Sequence, residues 1–547
     1  MAQGIVDTSD TKIPKRPALW MLLFFLAFYY LTNAGWYKIG DEVVMSAVAK
    51  QIAQEGRIGI EKEQIPRIGL YRDDSVVGPD GSYYFKWGIG QSLIQVPFYL
   101  LYRLLTGVPL YPNLVVSDFD TTILSELMII FLCPSLISAL GCVLVFLLGA
   151  RLGFSKSTSL LVTLIYGIAT LAWPYSKSLM SETAQNVALL GSVYGAVCYR
   201  SNRHRRFLVL SGACMGFTLL TKVLLIIILP LIVFYLLGVS RWRKSLHDLM
   251  IYFIPVFLVF VGVQLWFNDL RYGSVWKFGY DQGFDALGFS TPIYVGLWGL
   301  WASPGKGFFF YSPIAILGLI CAGVFYQRKR AEALLFLAIM AAITVPHAMW
   351  CSWSGDWSWG PRFLLPVTPY LIVPAGFFFS KWKVKSPLTR LAVILLIIVS
   401  FAIQLLGVFV HPFSFIQART EVVRNLVEID EYSSRSLYIE DTFVNFSPLF
   451  SHIVGNWWLF KHMIFSYDIW KDVPWRVLGG FELSTPRWVK GNRTVPFWWP
   501  ISFSLVSPDE KNRIMLLALV NSLLVIWAGM RLKRIPGVID EENFPKT

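Results

Sequence analysis

Twelve apolar windows, each about 16 to 26 residues long, recur along this chain, and a polypeptide that carries them has one solvent suited to its folding. They fall at 18–36, 125–150, 156–173, 183–200, 206–221, 223–239, 249–267, 308–326, 331–349, 362–380, 388–410 and 513–531. A hydrocarbon core of roughly 30 Å takes about 20 residues of helix to cross, so windows of this length match a bilayer. Their Leu, Ile, Val and Phe are spread all round the helical wheel, whereas a membrane barrel would show alternating segments of about 10 residues. The windows therefore predict an all-α polytopic membrane protein with about twelve transmembrane helices.

Composition agrees. Charged residues make up 15% of the 547, hydrophobic residues 55%, and the mean hydropathy is +0.55, where a soluble domain carries roughly 25% charged residues. The first window has a basic front at Lys12, Lys15 and Arg16, which raises the question of a signal peptide. Tyr37 and Lys38 follow it where a small-residue cleavage site would stand, so it is read as a retained anchor.

Lys and Arg set the orientation. With a cytoplasmic N-terminus, the short basic loops at 151–157, 200–206, 241–244, 328–330 and 381–390 and the tail from Arg531 all lie inside. The long loops at 37–124, 268–307, 350–361 and 411–512 then lie outside. The net charge of +14 follows from this topology and from contact with anionic membrane lipids, which leaves no call for nucleic acid as a partner. Of the six cysteines only Cys351 reaches the outer side, so neither a disulfide framework nor a CxxC metal pair is present. Three regions are expected: a transmembrane module at 1–410 whose first outer loop is 37–124, a Trp-rich outer region at 411–512, and a last helix with its tail at 513–547.

Chemistry gathers in the outer loops. Asp41 and Glu42 open a segment in which Val44, Met45, Val48 and Ile52 share a helical face, predicting an interfacial helix with an acidic start. Such an Asp is a helix cap or, held beside the membrane, a base. A turn at Asp80-Gly81 leads to Lys86 among aromatic residues and then to a second amphipathic helix from about Gln91 to Leu105. A lysine in that setting pairs with a phosphate or snorkels to the headgroups.

Read together, these pieces resemble the GT-C superfamily of polyprenyl-phosphate-sugar-dependent glycosyltransferases, which includes the protein O-mannosyltransferases and the lipid A aminoarabinose transferases. The resemblance rests on the acidic pair after the first span and on "GSYYFKWGIGQSL" at 81–93. "YGIATLAWPYSKSLMSE" at 166–182, "GFTLLTKVLLIIILP" at 216–230, "RYGSVWKFGY" at 271–280, "SPGKGFFFYSP" at 303–313 and "WSGDWSWGPRFLLPVTPYL" at 353–371 extend it in order. It covers about residues 18–380.

The resemblance implies that Asp41 takes a proton from an acceptor hydroxyl while a sugar leaves its lipid phosphate with inversion, and that Glu42 shares this duty or caps the helix. It implies that Lys86 contacts the phosphate, although this chain reads Lys86-Trp87-Gly88 where many relatives read Lys-Pro-Pro or Tyr-Pro-Pro. The donor would be a polyprenyl-phosphate-linked sugar and the acceptor a glycan, lipid or protein, at the outer face of a bacterial inner membrane. No cofactor is firmly implied, and a divalent cation is left open.

Further candidates come from the later segments. Lys306, in a glycine-flanked turn, and Arg362 are candidate phosphate ligands. Tyr83, Tyr84, Tyr175, Lys177, Glu182, Trp353, Asp356, Trp357 and Trp359 are candidate substrate contacts, the tryptophans because their faces stack on sugar rings. Lys222 interrupts some thirty apolar residues, as the tip of a hairpin or as a functional charge within the membrane. His347 is a lone imidazole with no second His at ligand spacing. The competing reading is a transporter or flippase, which calls for inverted repeats and broken helices.

Overall fold

The structure, a computed structural model, describes residues 15–35, 40–65, 75–110, 121–238, 242–280, 286–355, 358–410, 415–416, 419, 444–465, 497–500 and 508–533. After α1 (Lys15–Leu31) come α2 (Gly40–Glu55), an antiparallel hairpin of β1 (Ser75–Val77) and β2 (Tyr83–Phe85), α3 (Ile89–Thr106), α4 (Thr121–Ile130) and α5 (Leu132–Arg151). Next are α6 (Lys156–Ile168), α7 (Ala172–Tyr175), α8 (Ser181–Asn202), α9 (Arg206–Thr221), α10 (Leu229–Leu237), α11 (Trp242–Tyr252) and α12 (Ile254–Tyr272). The second half holds α13 (Ile293–Ala302), α14 (Phe308–Tyr311), α15 (Ala315–Ile320), α16 (Ala322–Arg328), α17 (Arg330–Met349), α18 (Thr368–Ile372), α19 (Gly376–Phe379), α20 (Pro387–Phe409), α21 (His452–Phe465) and α22 (Pro508–Lys533).

Six helical stretches among the described residues are long and apolar enough to cross a membrane: Ser125–Arg151, Ile254–Tyr272, Arg330–Met349, Arg362–Phe379, Pro387–Phe409 and Lys511–Lys533. The other windows of the sequence fall on shorter or more polar helices. The 308–326 window is divided among α14, α15 and α16 around Pro313 and Cys321. The 183–200 window is α8, 22 residues long, whose first turns bury Glu182, Gln185 and Asn186. The long apolar run that contains Lys222 breaks at that residue, which takes an extended backbone (φ −157°, ψ 110°) before a 3₁₀ turn at Val223–Ile228 restarts the helix.

The core is built where small and apolar faces meet. Cys142, Val145 and Phe146 of α5 and Leu189, Leu190 and Val193 of α8 are fully buried, and Ser192 and Ser211 exchange hydrogen bonds between α8 and α9. On the outside, α22 keeps Leu516, Leu519, Val520, Leu523 and Ile526 exposed, the surface that a spanning helix offers to lipid.

The two helices expected in the first outer loop are present, but they divide the work differently from the expectation. α2 is buried on most of its sides: Ser46 Oγ donates to Gln95 Oε1 at 2.5 Å, and Lys50 pairs with Glu126 at 2.5 Å. Polar side chains at these positions need protein partners, so α2 is clasped by its neighbours and does not simply rest its apolar face on a surface. The free apolar face belongs to α3, where Leu93, Leu100, Leu101, Leu104 and Leu105 are exposed.

Candidate active site

Asp41 stands in the first turn of α2, and its carboxylate reaches across the fold to the segment that follows α17. Arg362 Nη1 donates to Asp41 Oδ2 at 3.1 Å, and Arg362 Nε lies 3.6 Å from Glu182 Oε1 at the start of α8. One guanidinium thus bridges two carboxylates from two helices, a use that its rigid fork permits and a lysine's point charge does not. Gly355 makes room for it. Its φ is +72°, and a Cβ at that position would come within 2.7 Å of Arg362 Cγ. The Asp41 side chain remains 28% exposed against 9% for Arg362, so the carboxylate can still meet an incoming molecule.

Both residues line a cavity of about 400 Å³ together with Lys86, Glu182, Lys222 and His347. Met45, Met180, Phe278, Tyr280, Phe289, Trp350 and Phe363 supply much of its apolar and aromatic wall. Trp350 meets the rings of Tyr280 at 5.7 Å and Phe289 at 5.4 Å, both near-perpendicular.

The position of Lys86 follows from two features of its surroundings. Buried Arg271 of α12 donates to the carbonyls of Phe85 at 2.8 Å and Trp87 at 3.3 Å, and so clamps the backbone on either side of the lysine. Gly88 then lies against the C-terminal end of α9, where a Cβ would come within 2.3 Å of the Leu220 carbonyl oxygen and 2.8 Å of that of Thr221. Only a residue without a side chain lets the Lys86 segment dock this closely, which accounts for a glycine in the Lys86-Trp87-Gly88 sequence. The docking also brings Lys86 to the helix break that presents Lys222, whose Nζ lies 4.1 Å from the centre of the Phe363 ring.

The cavity's formal charges are therefore three cations, Lys86, Lys222 and Arg362, and two carboxylates, Asp41 and Glu182. Arg362 holds both carboxylates, and the cations of the cavity outnumber its acids in a confined space of reduced dielectric.

The remaining sequence candidates lie elsewhere. Glu42 is fully buried and accepts from Ser178 Oγ and the Leu179 N–H, tying α2 to the α7–α8 connection. Tyr84 donates to Asp80 at 2.8 Å and Tyr83 pairs with Val77 in the hairpin, behind the lysine segment. Lys306 is buried and donates to the Ser358 carbonyl at 2.8 Å and to Ser358 Oγ at 3.2 Å, away from the cavity. Tyr175 donates to the Trp359 carbonyl at 3.0 Å, Lys177 donates to the Val408 carbonyl, and Trp359 Nε1 lies 3.3 Å from Gln404 Oε1. Trp353 is buried against Phe446. Tyr175 and Lys306 brace the loop that delivers Arg362, and none of these groups lines the cavity. Asp356 and Trp357 lie outside the described residues.

Sequence reasoning did not assign Arg271, Met180 or the cavity place of His347. The helix-breaking Lys222 was its one visible pointer to the cavity's inner wall. A second hollow of about 900 Å³ runs beside α2, lined by Lys50, Gln51, Gln54 and Arg103 among others. Its charges are held internally, Lys50 by Glu126 and Arg103 by the Ala53 carbonyl. Among the described residues no three of His, Cys, Asp and Glu converge as metal ligands.

Fold and site together define a helical membrane protein with a charged, aromatic-walled pocket built from side chains of distant segments. No protein-family model matches the chain, and no curated protein does. The solved structures it is similar to include the following two. One is the crystal structure of ArnT from Cupriavidus metallidurans bound to undecaprenyl phosphate, at 15% identity and a TM-score of 0.44, covering 81% of this chain and 76% of that one. The other is the archaeal oligosaccharyltransferase AglB from Archaeoglobus fulgidus in complex with an inhibitory peptide and a dolichol-phosphate, at 11% identity and a TM-score of 0.46. The match covers 77% of this chain and 59% of AglB, less than two thirds of its length.

Proposed function

We propose that the chain is a membrane glycosyltransferase of the GT-C kind, moving a sugar from a polyprenyl-phosphate donor to an acceptor hydroxyl with inversion. One observation carries the reading: a partly exposed carboxylate, Asp41, and three cations, Lys86, Lys222 and Arg362, line one cavity with aromatic walls. Lysine and arginine donors suit a phosphate, aromatic faces suit a sugar, and a carboxylate beside both suits a base.

In the reaction the acceptor hydroxyl oxygen attacks the anomeric carbon, the bond from that carbon to the phosphate oxygen breaks, and the hydroxyl proton passes to Asp41. The electron pair leaves with the lipid phosphate, whose growing charge Lys86 and Lys222 stabilise. Removal of the proton by a positioned base contributes typically ~10²–10⁴-fold, and fixed cations around a departing oxygen add to it. The arriving phosphate also competes for Arg362 and so loosens its hold on Asp41, which readies the carboxylate once the donor is in place.

The basic short loops support an outward-facing cavity in a bacterial inner membrane, with α2 and α3 at the membrane boundary. The test is to incubate the purified full chain with radiolabelled undecaprenyl-phospho-sugars and a membrane extract as the source of acceptor. Label transferred by the wild type and lost with Asp41→Asn supports the reading. Movement of the lipid across proteoliposomes with no transfer would point to the flippase instead.

A further inference from the structure

We infer that His347 reads a hydroxyl group on the sugar of the donor, an inference that deepens the transferase reading and rests on it. His347 is buried near the end of α17 and lines the cavity that holds Asp41, Lys86 and Lys222. Its Nδ1 lies 2.6 Å from the Ile343 carbonyl oxygen, one turn back on its own helix. A carbonyl only accepts, so Nδ1 carries the hydrogen and the neutral ring presents Nε2 as an acceptor on its opposite edge. Among the described residues Nε2 has no hydrogen-bond partner. A buried nitrogen of this kind is rare in a folded chain and calls for a partner that the protein does not supply.

The surroundings say what that partner is. The ring lies 4.6 Å from the ring of Phe363, and the polar groups that share its cavity are mainly donors, Lys86, Lys222 and Arg362, which suit an anion. An acceptor among them cannot bind a phosphate oxygen; it takes a neutral hydrogen-bond donor attached to the same ligand. Trp350, three residues further along, lines the same cavity, and an indole is a surface suited to a sugar ring. A phosphate at the lysines with its sugar over Trp350 places a ring hydroxyl toward Nε2. A site that commits a buried acceptor to a hydroxyl discriminates against sugars that lack it at that position, because the nitrogen is then left unpaired.

The test compares two kinds of lipid on the purified full chain in detergent: undecaprenyl phosphate alone, and undecaprenyl phosphate bearing glucose, mannose or galactose. His347→Phe keeps a ring against Phe363 and removes the acceptor, while His347→Gln retains one. The expected result is that His347→Phe weakens the best-bound sugar lipid about three- to tenfold and leaves the bare lipid phosphate unchanged, with His347→Gln in between. Equal weakening of both lipids, or of neither, overturns the inference and leaves the transferase reading standing. A wild type that binds neither kind of lipid overturns the transferase reading and this inference with it.

Discussion

Asp41→Asn should push lipid binding and turnover in opposite directions. Asp41 Oδ2 and Arg362 Nη1 are 3.1 Å apart, and two unit charges at that distance attract by about 5 kcal/mol at an effective dielectric near 20. The pair is not worth that much, because the Asp41 side chain is 28% exposed and solvent screens it. A charge-assisted hydrogen bond at such a place contributes about 1.5 kcal/mol net, close to a factor of ten in an equilibrium constant. Asparagine keeps an oxygen for the guanidinium and removes the charge that competes with a phosphate, so affinity for undecaprenyl phosphate should rise about tenfold. The base is lost in the same step, and turnover should fall by ~10²–10⁴. Titrating the lipid against intrinsic tryptophan fluorescence gives the affinity, and single-turnover transfer from a radiolabelled donor gives the rate. Turnover retained within a few-fold, or affinity that falls together with rate, refutes the assignment of Asp41 as a base held in reserve by Arg362.

Gly88→Ala places a methyl carbon 2.3 Å from the Leu220 carbonyl oxygen, so the lysine segment must retreat by about 1 Å, which should cost about 10²-fold in turnover; Gly262→Ala, with nothing within 4 Å, serves as the unaffected control. Lys222→Met should weaken undecaprenyl phosphate about tenfold and flatten the salt dependence of its binding. Lys306→Met breaks two bonds to Ser358 and should lower stability by about 1–3 kcal/mol while leaving lipid affinity within twofold. Burial, with Arg419 and Lys306 close by, holds His452 well below the ordinary imidazole value of 6.5. The unfolded chain therefore binds more protons below that pH, and stability should fall on acidification by up to about 1.4 kcal/mol per unit, a slope that His452→Gln removes from the melting curve.

Much of the helical framework and part of the site were legible in the residues. The carboxylate at the start of α2, the lysine after the hairpin and the arginine after the tryptophan-rich loop could each be picked out because a charge in an aromatic or apolar setting needs a reason. What the sequence could not show was which charges meet. Glu42 adjoins Asp41 in the chain, but one helical step turns it about 100° round the axis, toward Ser178 and away from the cavity. Lys306 and Lys222 looked alike as lone lysines near apolar runs; Ser358 captures the first, and the docking of Gly88 on Leu220 and Thr221 draws the second into the site. These outcomes depend on contacts between segments 52 to 136 residues apart, to which a hydropathy window is blind. His347 stood out in the sequence as a lone imidazole, but its place in the cavity was hidden for the same reason: it depends on where the ring's unused edge faces.

A guanidinium already gripped by two acids gives an empty chamber little appetite for stray chloride, sulfate or free phosphate. At Arg362 a small ion must unseat Asp41 and Glu182, with only the two lysines of the cavity in its favour. A guest that also brings a long greasy chain can meet that toll from the lipid side, so the resting protein screens its visitors by what they are tethered to.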